Sequence, residues 1–392
     1  MYRAATVLLL ATSVLAATCS CSSAQPVRTP SAQVDTWAAA PDRLTNSYQD
    51  RTIREIVHTT IGGGSVRLRL SNVFGSAPVR FDSVWVGAQS GAAGVVANSN
   101  QRVQFAKADT VTVPVGAEIV SDPVNMTVHP GENLTVSIHV DGDTGKVTGH
   151  QRAQQQGWYA DGDAAADTSG APYTHQVDQW FWLDAATVQP SYPAHTIVAI
   201  GDSITDGFRS TADTNHRWPN LLADRLGPSP QFGVADEGIA GNQVTADGSG
   251  VSAEARLQRD VLAQPDVSTV IYLEGINDIG GHSVTSAAEL IKADSLIIAR
   301  VHAAGLRILG GTLTPFDGFH TYSPTTEAIR QAVNNWIRTS HAFDGVIDFD
   351  AAVRDPSDAH RLRPTYDSGD HLHPNDAGYQ AMANAVPIQD LR

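Results

Sequence analysis

The chain has 392 residues, 42% of them hydrophobic and 17% charged, and a net charge of −15. This length exceeds what one hydrophobic core usually serves, so we expect two domains, and the composition is typical of a loop-rich globular protein. The negative charge and the lack of any lysine or arginine run argue against binding to nucleic acid or to an anionic membrane surface.

The N-terminus has the pattern of an export signal. One positive charge at Arg3 precedes an apolar run over residues 4–17, which is short for a bilayer span. We therefore predict a signal peptide over residues 1–24. Its end matches a lipoprotein processing site in part and an ordinary signal peptidase site in part. The protein is thus expected to be secreted, or held at the cell envelope by a lipid anchor.

Both cysteines of the chain, Cys19 and Cys21, lie in this leader. We therefore predict a folded body with no disulfide, no thiol nucleophile and no cysteine metal site. Its stability is expected to come from packing alone.

The first half of the remaining chain has the pattern of an all-β domain. Short apolar segments alternate with glycine, asparagine and proline turns, and apolar and polar residues alternate clearly over 66–70, 79–81 and 134–139. Such strands should have one buried and one solvent-exposed face. We predict a β-sandwich accessory domain over residues 33–186.

The pattern changes at about residue 194, where continuous apolar runs begin to alternate with helical stretches. The predicted strands are residues 196–200, 232–235, 269–273, 306–309 and 346–349, and the predicted helices are residues 218–226, 285–304, 325–339 and 375–385. We predict an α/β domain over residues 194–392, with a parallel sheet and helices on both faces. Ligands bind outside the carboxyl ends of the strands in such sheets, so candidate site residues should follow the apolar runs.

A serine follows the first of these runs. Gly201-Asp202-Ser203 forms a strand-to-helix turn that would hold the Ser203 hydroxyl at the carboxyl edge of the sheet, where a nucleophile would lie. For the tripeptide alone, a glycine-bearing turn with a capping serine is the better interpretation, so the other segments must decide. The segment is neither a Gly-x-Ser-x-Gly elbow nor a phosphate-binding loop.

Two further segments follow strands at the same edge. The amide of Asn277 can donate to an oxygen that becomes negative during acyl transfer, although a turn asparagine is an equal alternative. Gly238 or Gly241 would let a backbone N–H approach a substrate oxygen with no side chain in the way, although both could simply form the loop.

The segment Asp370-His371-Leu372-His373-Pro374 opens the last predicted helix. An imidazole with a carboxylate three positions earlier supplies a general base and its orienting partner on one short loop. Without Ser203, a surface loop with incidental histidines would be the better interpretation.

Together, these four segments resemble the motifs of the SGNH hydrolase superfamily, also called GDSL esterases and lipases. The resemblance covers residue 194 to the C-terminus, about half of the chain. With its β-rich first half, the whole chain is similar to a two-domain exported branch of aryl- and acetylesterases. The resemblance implies a flavodoxin-like three-layer fold for the second domain.

The resemblance also implies the roles of the site residues. Ser203 is the expected nucleophile, His373 the general base and Asp370 the residue that orients the histidine. The expected oxyanion hole consists of the backbone N–H groups of Ser203 and Gly241 and the side chain of Asn277.

Two neighbouring residues compete with these assignments. Gly241 fits the family glycine best, but Gly238 is close to it. The family spacing Asp-x-x-His selects His373, so His371 is interpreted as a loop residue or a substrate contact.

The implied reaction is ester hydrolysis through an acyl-enzyme, which requires no cofactor and no metal. The expected substrate is a small acyl group, such as acetyl, on a carbohydrate, for example an acylated polysaccharide. A lipid or aryl ester is the alternative. The role of the accessory domain, the acyl chain length and the oligomeric state are left open.

A metallohydrolase is one rival interpretation, with Asp370, His371 and His373 as metal ligands. Ser203 and Asn277 would then have no role, and no further motif has ligand spacing.

An inactive carbohydrate-binding protein is the second rival. Its sugar platform would be the aromatic cluster of Trp158, Tyr159, Trp180, Phe181 and Trp182. Aromatic residues near a domain junction more often belong to the core.

Overall fold

The structure is a computed structural model that describes Met1 and residues 33–227 and 231–391. Residues 2–24 of the predicted signal peptide, with both cysteines, lie outside the described residues. No helix in the described part of the chain combines the length and apolar character needed to cross a bilayer.

Residues 34–188 contain strands and no helix, which confirms the all-β first half. The strands are β1 (Val34–Ala38), β2 (Asp42–Arg43), β3 (Arg51–His58), β4 (Val66–Ser71), β5 (Val79–Gly91), β6 (Gly94–Val95), β7 (Gln101–Arg102), β8 (Val111–Val113), β9 (Glu118–Val120), β10 (Asn133–Val140), β11 (Thr148–His150), β12 (Gly157–Asp161), β13 (His175–Val177), β14 (Trp180–Phe181) and β15 (Leu183–Val188). They form a sheet β1-β15-β4-β9, a sheet β13-β12-β3-β10-β5-β6 with β7 and β8 also paired to β5, and a small sheet β14-β11-β2.

The two larger sheets of this half share one hydrophobic core, as a sandwich requires. The alternating apolar residues of β4 and β10 lie in it: Val66, Leu68, Leu70, Leu134, Val136 and Ile138. The prediction of a solvent-exposed face on β10 is wrong. Ser137 and His139 are buried there, and each is hydrogen-bonded, Ser137 to Arg54 at 2.8 Å and His139 to Asp82 at 2.8 Å.

The second half contains the predicted parallel sheet. Its strands are β16 (His195–Gly201), β17 (Phe232–Gly238), β18 (Val267–Leu273), β19 (Arg307–Gly311) and β20 (Gly345–Ile347), in the order β17-β16-β18-β19-β20, followed by a hairpin of β21 (Arg354–Asp355) and β22 (Asp358–Leu362). The last strand was predicted to reach Phe349, but it ends at Ile347. The side chain of Asp348 caps a helix there by accepting from the N–H of Ala351, so Phe349 begins that helix.

The helices of this half are α1 (Trp218–Leu226), α2 (Ala253–Leu257), α3 (Ile276–Gly280), α4 (Ala287–Ala303), α5 (Pro324–Thr339), α6 (Phe349–Val353) and α7 (Asp376–Ala385), with a π-helical turn (Gln258–Leu262) and a 3₁₀ turn (Ile388–Leu391). The four longest, α1, α4, α5 and α7, agree with the predicted helices to within two residues at each end. Helix α1 contacts β17 and α7, and α4 contacts β19 and α5. The full three-layer arrangement stays a prediction.

The front half covers an edge of the parallel sheet. Strand β1 lies beside the edge strand β17, where Ala39 forms a parallel bridge with Asp236. The N–H of Val234 donates to the Thr60 hydroxyl at 2.9 Å. An uncovered edge strand is a site for aggregation, so this contact protects the sheet that carries the site. The cores of the two halves are not fully separate along the chain, because Ala38 packs in the core of the second half. The predicted domain boundaries stay predictions.

Candidate active site

Ser203 lies two residues beyond the end of β16 and is 5% exposed. The turn that holds it is tight. A Cβ at Gly201 would lie 2.7 Å from the carbonyl oxygen of Leu273, and the Asp202 carboxylate accepts from the N–H of Ile204 at 2.9 Å. The turn therefore fixes the Ser203 hydroxyl at the carboxyl edge of the sheet.

Three predicted site residues form one hydrogen-bonded series. The Oγ of Ser203 lies 2.8 Å from Nε2 of His373, and Nδ1 of His373 lies 2.8 Å from Oδ2 of Asp370. Because a carboxylate only accepts, Nδ1 carries a proton, and the lone pair of Nε2 faces the serine hydroxyl. This arrangement can remove the hydroxyl proton.

The electrostatics of Asp370 suit an orienting carboxylate. Burial raises its pKa, but hydrogen bonds from the His373 ring and from the N–H groups of His373 and Leu372 outweigh burial, so the pKa lies well below its usual range. The two N–H bonds, 2.9 and 3.0 Å long, both end on Oδ1. Asp370 is therefore ionised at neutral pH and can stabilise an imidazolium.

Aromatic rings restrict the histidine on two sides. Phe208, from the loop of Ser203, meets the His373 ring edge-on with centroids 4.8 Å apart. Phe319 is edge-on at 6.4 Å. Neither ring was identified from the sequence, because single aromatic residues in loops have no periodicity to mark them.

The predicted oxyanion donors line the same cleft as the Ser203 hydroxyl. Ser203, Gly241 and Asn277 line one cleft. Among the described residues, no protein group accepts from the N–H of Ser203 or of Gly241. The amide nitrogen of Asn277 donates to the carbonyl of Asn242 at 2.9 Å and lies 3.4 Å from Asp202, so its second N–H has only the longer contact. Three donors are thus available to an oxygen bound beside Ser203.

The loop of Gly241 is anchored by an aspartate whose role sequence analysis did not identify. The carboxylate of Asp278 accepts from the N–H groups of Val244 at 2.8 Å and Thr245 at 3.0 Å, and from the Thr245 hydroxyl at 2.7 Å. Since Asp278 follows Asn277 directly, the short helix α3 positions both the side chain of Asn277 and the loop of Gly241.

The structure separates the two candidate glycines. Gly238 is the last residue of β17, and a Cβ there would lie 2.2 Å from the backbone nitrogen of Asp206, so this glycine serves close packing. Gly241 has φ +83° and lines the cleft. The position of Gly241 therefore fits the predicted backbone donor better.

His371 is turned away from this series. Its ring Nδ1 lies 2.6 Å from Asp367, its backbone has φ +68°, and its side chain is 54% exposed and does not line the cleft. These contacts favour the loop-residue interpretation. They also argue against a shared metal site, because the ring nitrogens of His373 already face Ser203 and Asp370.

Residues from both halves of the chain line the cleft, which has a volume of about 480 Å³. The front half contributes only polar residues: Asp42, Arg43, His150, Gln151 and Arg152. No motif marks them in the sequence, so sequence analysis missed them. A second pocket of about 230 Å³ adjoins the cleft and shares Gly241, Asn277, Phe319 and Leu372 with it.

A buried ion pair ties the front half to the loop of Ser203. The ring of His150 lies 3.0 Å from the carboxylate of Asp206 and 2.9 Å from the carbonyl of Ala40. Burial lowers the pKa of His150, but the Asp206 carboxylate and the hydrogen bonds raise it by more, so the net shift is upward. Because a carboxylate and a carbonyl are both acceptors, the ring is positively charged.

The aromatic cluster is core and not a surface platform, which contradicts the carbohydrate-binding interpretation. Trp158, Trp180, Phe181 and Trp182 are buried, and Tyr159 is half-buried and packs against the core of the front half. The indole N–H of Trp180 donates to the carbonyl of Ile56 at 2.9 Å. These rings are thus not available to stack on a sugar.

A serine, a histidine and an aspartate linked in this way at the edge of a parallel sheet are the arrangement of a serine hydrolase of the α/β class. Residues 199–381 match the model of the GDSL-like lipase/acylhydrolase family. The protein is a carboxylic ester hydrolase.

Solved structures similar to this chain include two esterases and one hydrolase. The aryl esterase of M. smegmatis is 18% identical, covering 50% of this chain and 98% of its own, with a TM-score of 0.41. A carbohydrate acetylesterase family member from Sinorhizobium meliloti is 17% identical, covering 49% and 94%, with a TM-score of 0.40. An alpha/beta hydrolase from the metagenome of Lake Arreo, Spain, is 22% identical, covering 50% and 94%, with a TM-score of 0.38. No curated protein matches the chain.

Proposed function

We propose that the protein is an exported serine esterase that removes a small acyl group, such as acetyl, from a carbohydrate. The observation that carries the proposal is the continuous contact from Asp370 through His373 to Ser203 at the base of a cleft whose front wall is polar. The predicted leader, residues 1–24, supports a substrate outside the cell or in its envelope.

Ser203 acts as the nucleophile in this proposal. His373 takes the hydroxyl proton while Oγ bonds to the ester carbonyl carbon, and Asp370 stabilises the imidazolium that forms. His373 then gives the proton to the departing alkoxide, which leaves as the alcohol. Water attacks the acyl-enzyme by the same route, so the acid is released and Ser203 regains its proton.

The oxygen of the tetrahedral intermediate accepts from the N–H groups of Ser203 and Gly241 and from the amide of Asn277. Loss of one such donor lowers kcat by about 10²- to 10³-fold in other acyl-transfer enzymes. The same magnitude is expected here, since the donors stand ready before substrate binds.

The lining of the cleft supports a sugar ester over a lipid ester. A fatty alcohol or acyl chain needs a continuous apolar wall, whereas all five front-half residues in the lining are polar. The adjoining pocket, with Ile276, Phe319 and Leu372, offers apolar surface for an acyl group. An aryl or lipid ester is the second candidate, which this pocket could also serve.

The test is ester hydrolysis by the protein without its leader. p-Nitrophenyl acetate, butyrate and octanoate give the acyl preference, and acetate release from an acetylated polysaccharide tests the carbohydrate assignment. We expect turnover of the acetate ester, acetate release from the polymer, and turnover unaffected by EDTA.

Ser203→Ala should abolish hydrolysis of every substrate. The matched control is Ser295→Ala, since Ser295 is an exposed serine on α4. Activity retained by Ser203→Ala, or lost with EDTA, would contradict the serine mechanism. A strong preference for octanoate with no acetate release from the polymer would replace the sugar ester with a lipid ester.

A further inference from the structure

Two arginines in the cleft have no acidic partner. Arg43 and Arg152 belong to the front half, line the cleft and are exposed. Among the described residues, the side chain of neither arginine forms a hydrogen bond or an ion pair. Each guanidinium instead lies over a phenylalanine ring, Arg43 over Phe74 at 4.5 Å and Arg152 over Phe208 at 4.7 Å.

An arginine side chain with no hydrogen-bond or ion-pair partner is unusual within this half of the chain. The other arginines of the described front half each have a hydrogen-bond or ion-pair partner: Arg51, Arg54, Arg67, Arg69, Arg80 and Arg102. In a chain of net charge −15, carboxylates are plentiful, so two unpaired guanidinium groups on one cleft wall stand out.

The front wall of the cleft is therefore positive. Its groups are Arg43 and Arg152, the carboxylate of Asp42, and His150, whose charge is balanced by Asp206. The sum of these charges is positive, and the low-dielectric walls of a cleft strengthen its field.

The contacts place Arg152 on the side of the leaving group. Arg152 lies over Phe208, and Phe208 meets the ring of His373. Because His373 must give its proton to the departing alkoxide, the alcohol half of the ester lies beside His373. The oxyanion donors Gly241 and Asn277 instead hold the carbonyl oxygen.

We infer that Arg43 and Arg152 select esters whose alcohol half carries a carboxylate, such as the acyl ester of an acidic sugar. The planar guanidinium matches a carboxylate in a two-point contact, and the phenylalanine rings hold both groups in place. This inference rests on the proposed esterase function and specifies its substrate.

A matched pair of acetate esters tests the inference. 4-Acetoxybenzoate carries a carboxylate on its alcohol half, and its methyl ester is neutral. The kcat/KM ratio of the two, divided by the ratio of their hydroxide-catalysed rates, gives the charge preference of the enzyme. The wild type should prefer the anion, and 0.5 M NaCl should weaken that preference.

Arg152→Gln should lower this ratio by about fivefold, the effect of one exposed charge pair, and Arg152→Glu should lower it further. Arg43→Gln should lower it as well. The control is Arg80→Gln, which removes a front-half arginine that pairs with Asp141 and does not line the cleft. Thermal unfolding shows that each variant is folded.

The ratio separates this inference from the proposed function. If neither ester is hydrolysed, or if Ser203→Ala remains active, the proposed function is wrong and the inference goes with it. If the wild type hydrolyses both esters with a ratio of one, or if Arg152→Glu keeps the wild-type ratio, only the inference is overturned.

Discussion

Replacing Asp370 with asparagine should leave the site assembled but reverse the histidine tautomer. In the structure, Oδ1 of Asp370 accepts from two backbone N–H groups, those of Leu372 and His373, and Oδ2 accepts from Nδ1 of His373. An asparagine side chain has one accepting oxygen and one donating nitrogen. One of the two positions must therefore become a donor.

The number of bonds decides the orientation of the new side chain. With its oxygen at the Oδ1 position, asparagine keeps two hydrogen bonds, whereas the reverse orientation would oppose two N–H groups to an NH₂ group. Since each bond is worth about 1 kcal/mol, the first orientation should predominate. Its NH₂ group then faces Nδ1 of His373, and the ring proton moves to Nε2.

A protonated Nε2 cannot accept the proton of Ser203. We expect kcat to fall by about 10⁴-fold in Asp370→Asn, as for other serine hydrolases with this change. The assay is p-nitrophenyl acetate hydrolysis from pH 6 to 9. The loss should persist throughout, because the pKa of Asp370 lies well below this range and the wild-type carboxylate stays ionised.

The matched control is Asp367→Asn on the same loop, whose carboxylate pairs with His371 and not with His373. This variant should keep kcat within about a factor of a few of the wild type. If Asp370→Asn were folded, as shown by circular dichroism, and retained a tenth or more of wild-type kcat, the assignment of Asp370 as the orienting carboxylate would be refuted.

Three further outcomes follow from the structure. Gly241→Ala should lower kcat by about 100-fold with little change in KM. The backbone of residue 241 has φ +83° and the new Cβ would lie 2.7 Å from Oγ of Ser249, so the backbone N–H would be displaced. Wild-type kcat in this variant would exclude the N–H of residue 241 as an oxyanion donor. His150→Ala should lower the free energy of unfolding in urea by about 3 kcal/mol, since Asp206 loses its buried partner; an unchanged midpoint would contradict the ion pair. Burial raises the pKa of Asp294 to about 7 in the folded protein, from its ordinary value of 3.8. Between these two values the folded protein keeps the proton and the unfolded chain releases it. The free energy of unfolding therefore falls as pH rises from about 4 to 7. Asp294→Asn should remove the share of this decline that Asp294 causes, seen as a smaller drop in Tm between pH 4.5 and 7.5, and an unaltered drop would assign the decline to other groups.

The sequence predicted the main strands and helices of the second half and the candidate catalytic side chains, because both are marked by local patterns. Apolar runs marked the parallel strands, and helical periodicity marked α1, α4, α5 and α7, because burial repeats with the period of each element. Asp370 and His373 share one loop, so their spacing alone indicates that a carboxylate can reach the imidazole. The resemblance to a family supplied their pairing with Ser203.

Short elements and buried polar faces were less predictable. The helix that begins at Phe349 depends on one cap at Asp348, which a continuous apolar run conceals. Strand β10 alternates polar and apolar residues, yet both faces are buried, and Ser137 and His139 on its polar face are hydrogen-bonded to Arg54 and Asp82. The alternation in the sequence shows which residues are polar. A polar residue need not be exposed, because a hydrogen-bond partner in the fold allows it to be buried.

Tertiary structure alone decided which distant residues enter the cleft. Arg152 and His150 reach the loop of Ser203 because β1 packs beside β17 and places the front half over the carboxyl edge of the parallel sheet. No local sequence pattern indicates that packing. The choice between Gly238 and Gly241 also depended on a neighbour, the backbone of Asp206. The sequence thus determined the pair of Asp370 and His373, since the two residues lie on one loop. The fold brought His373 to Ser203 and determined what surrounds them, since contacts between residues far apart in the chain depend on how the elements pack.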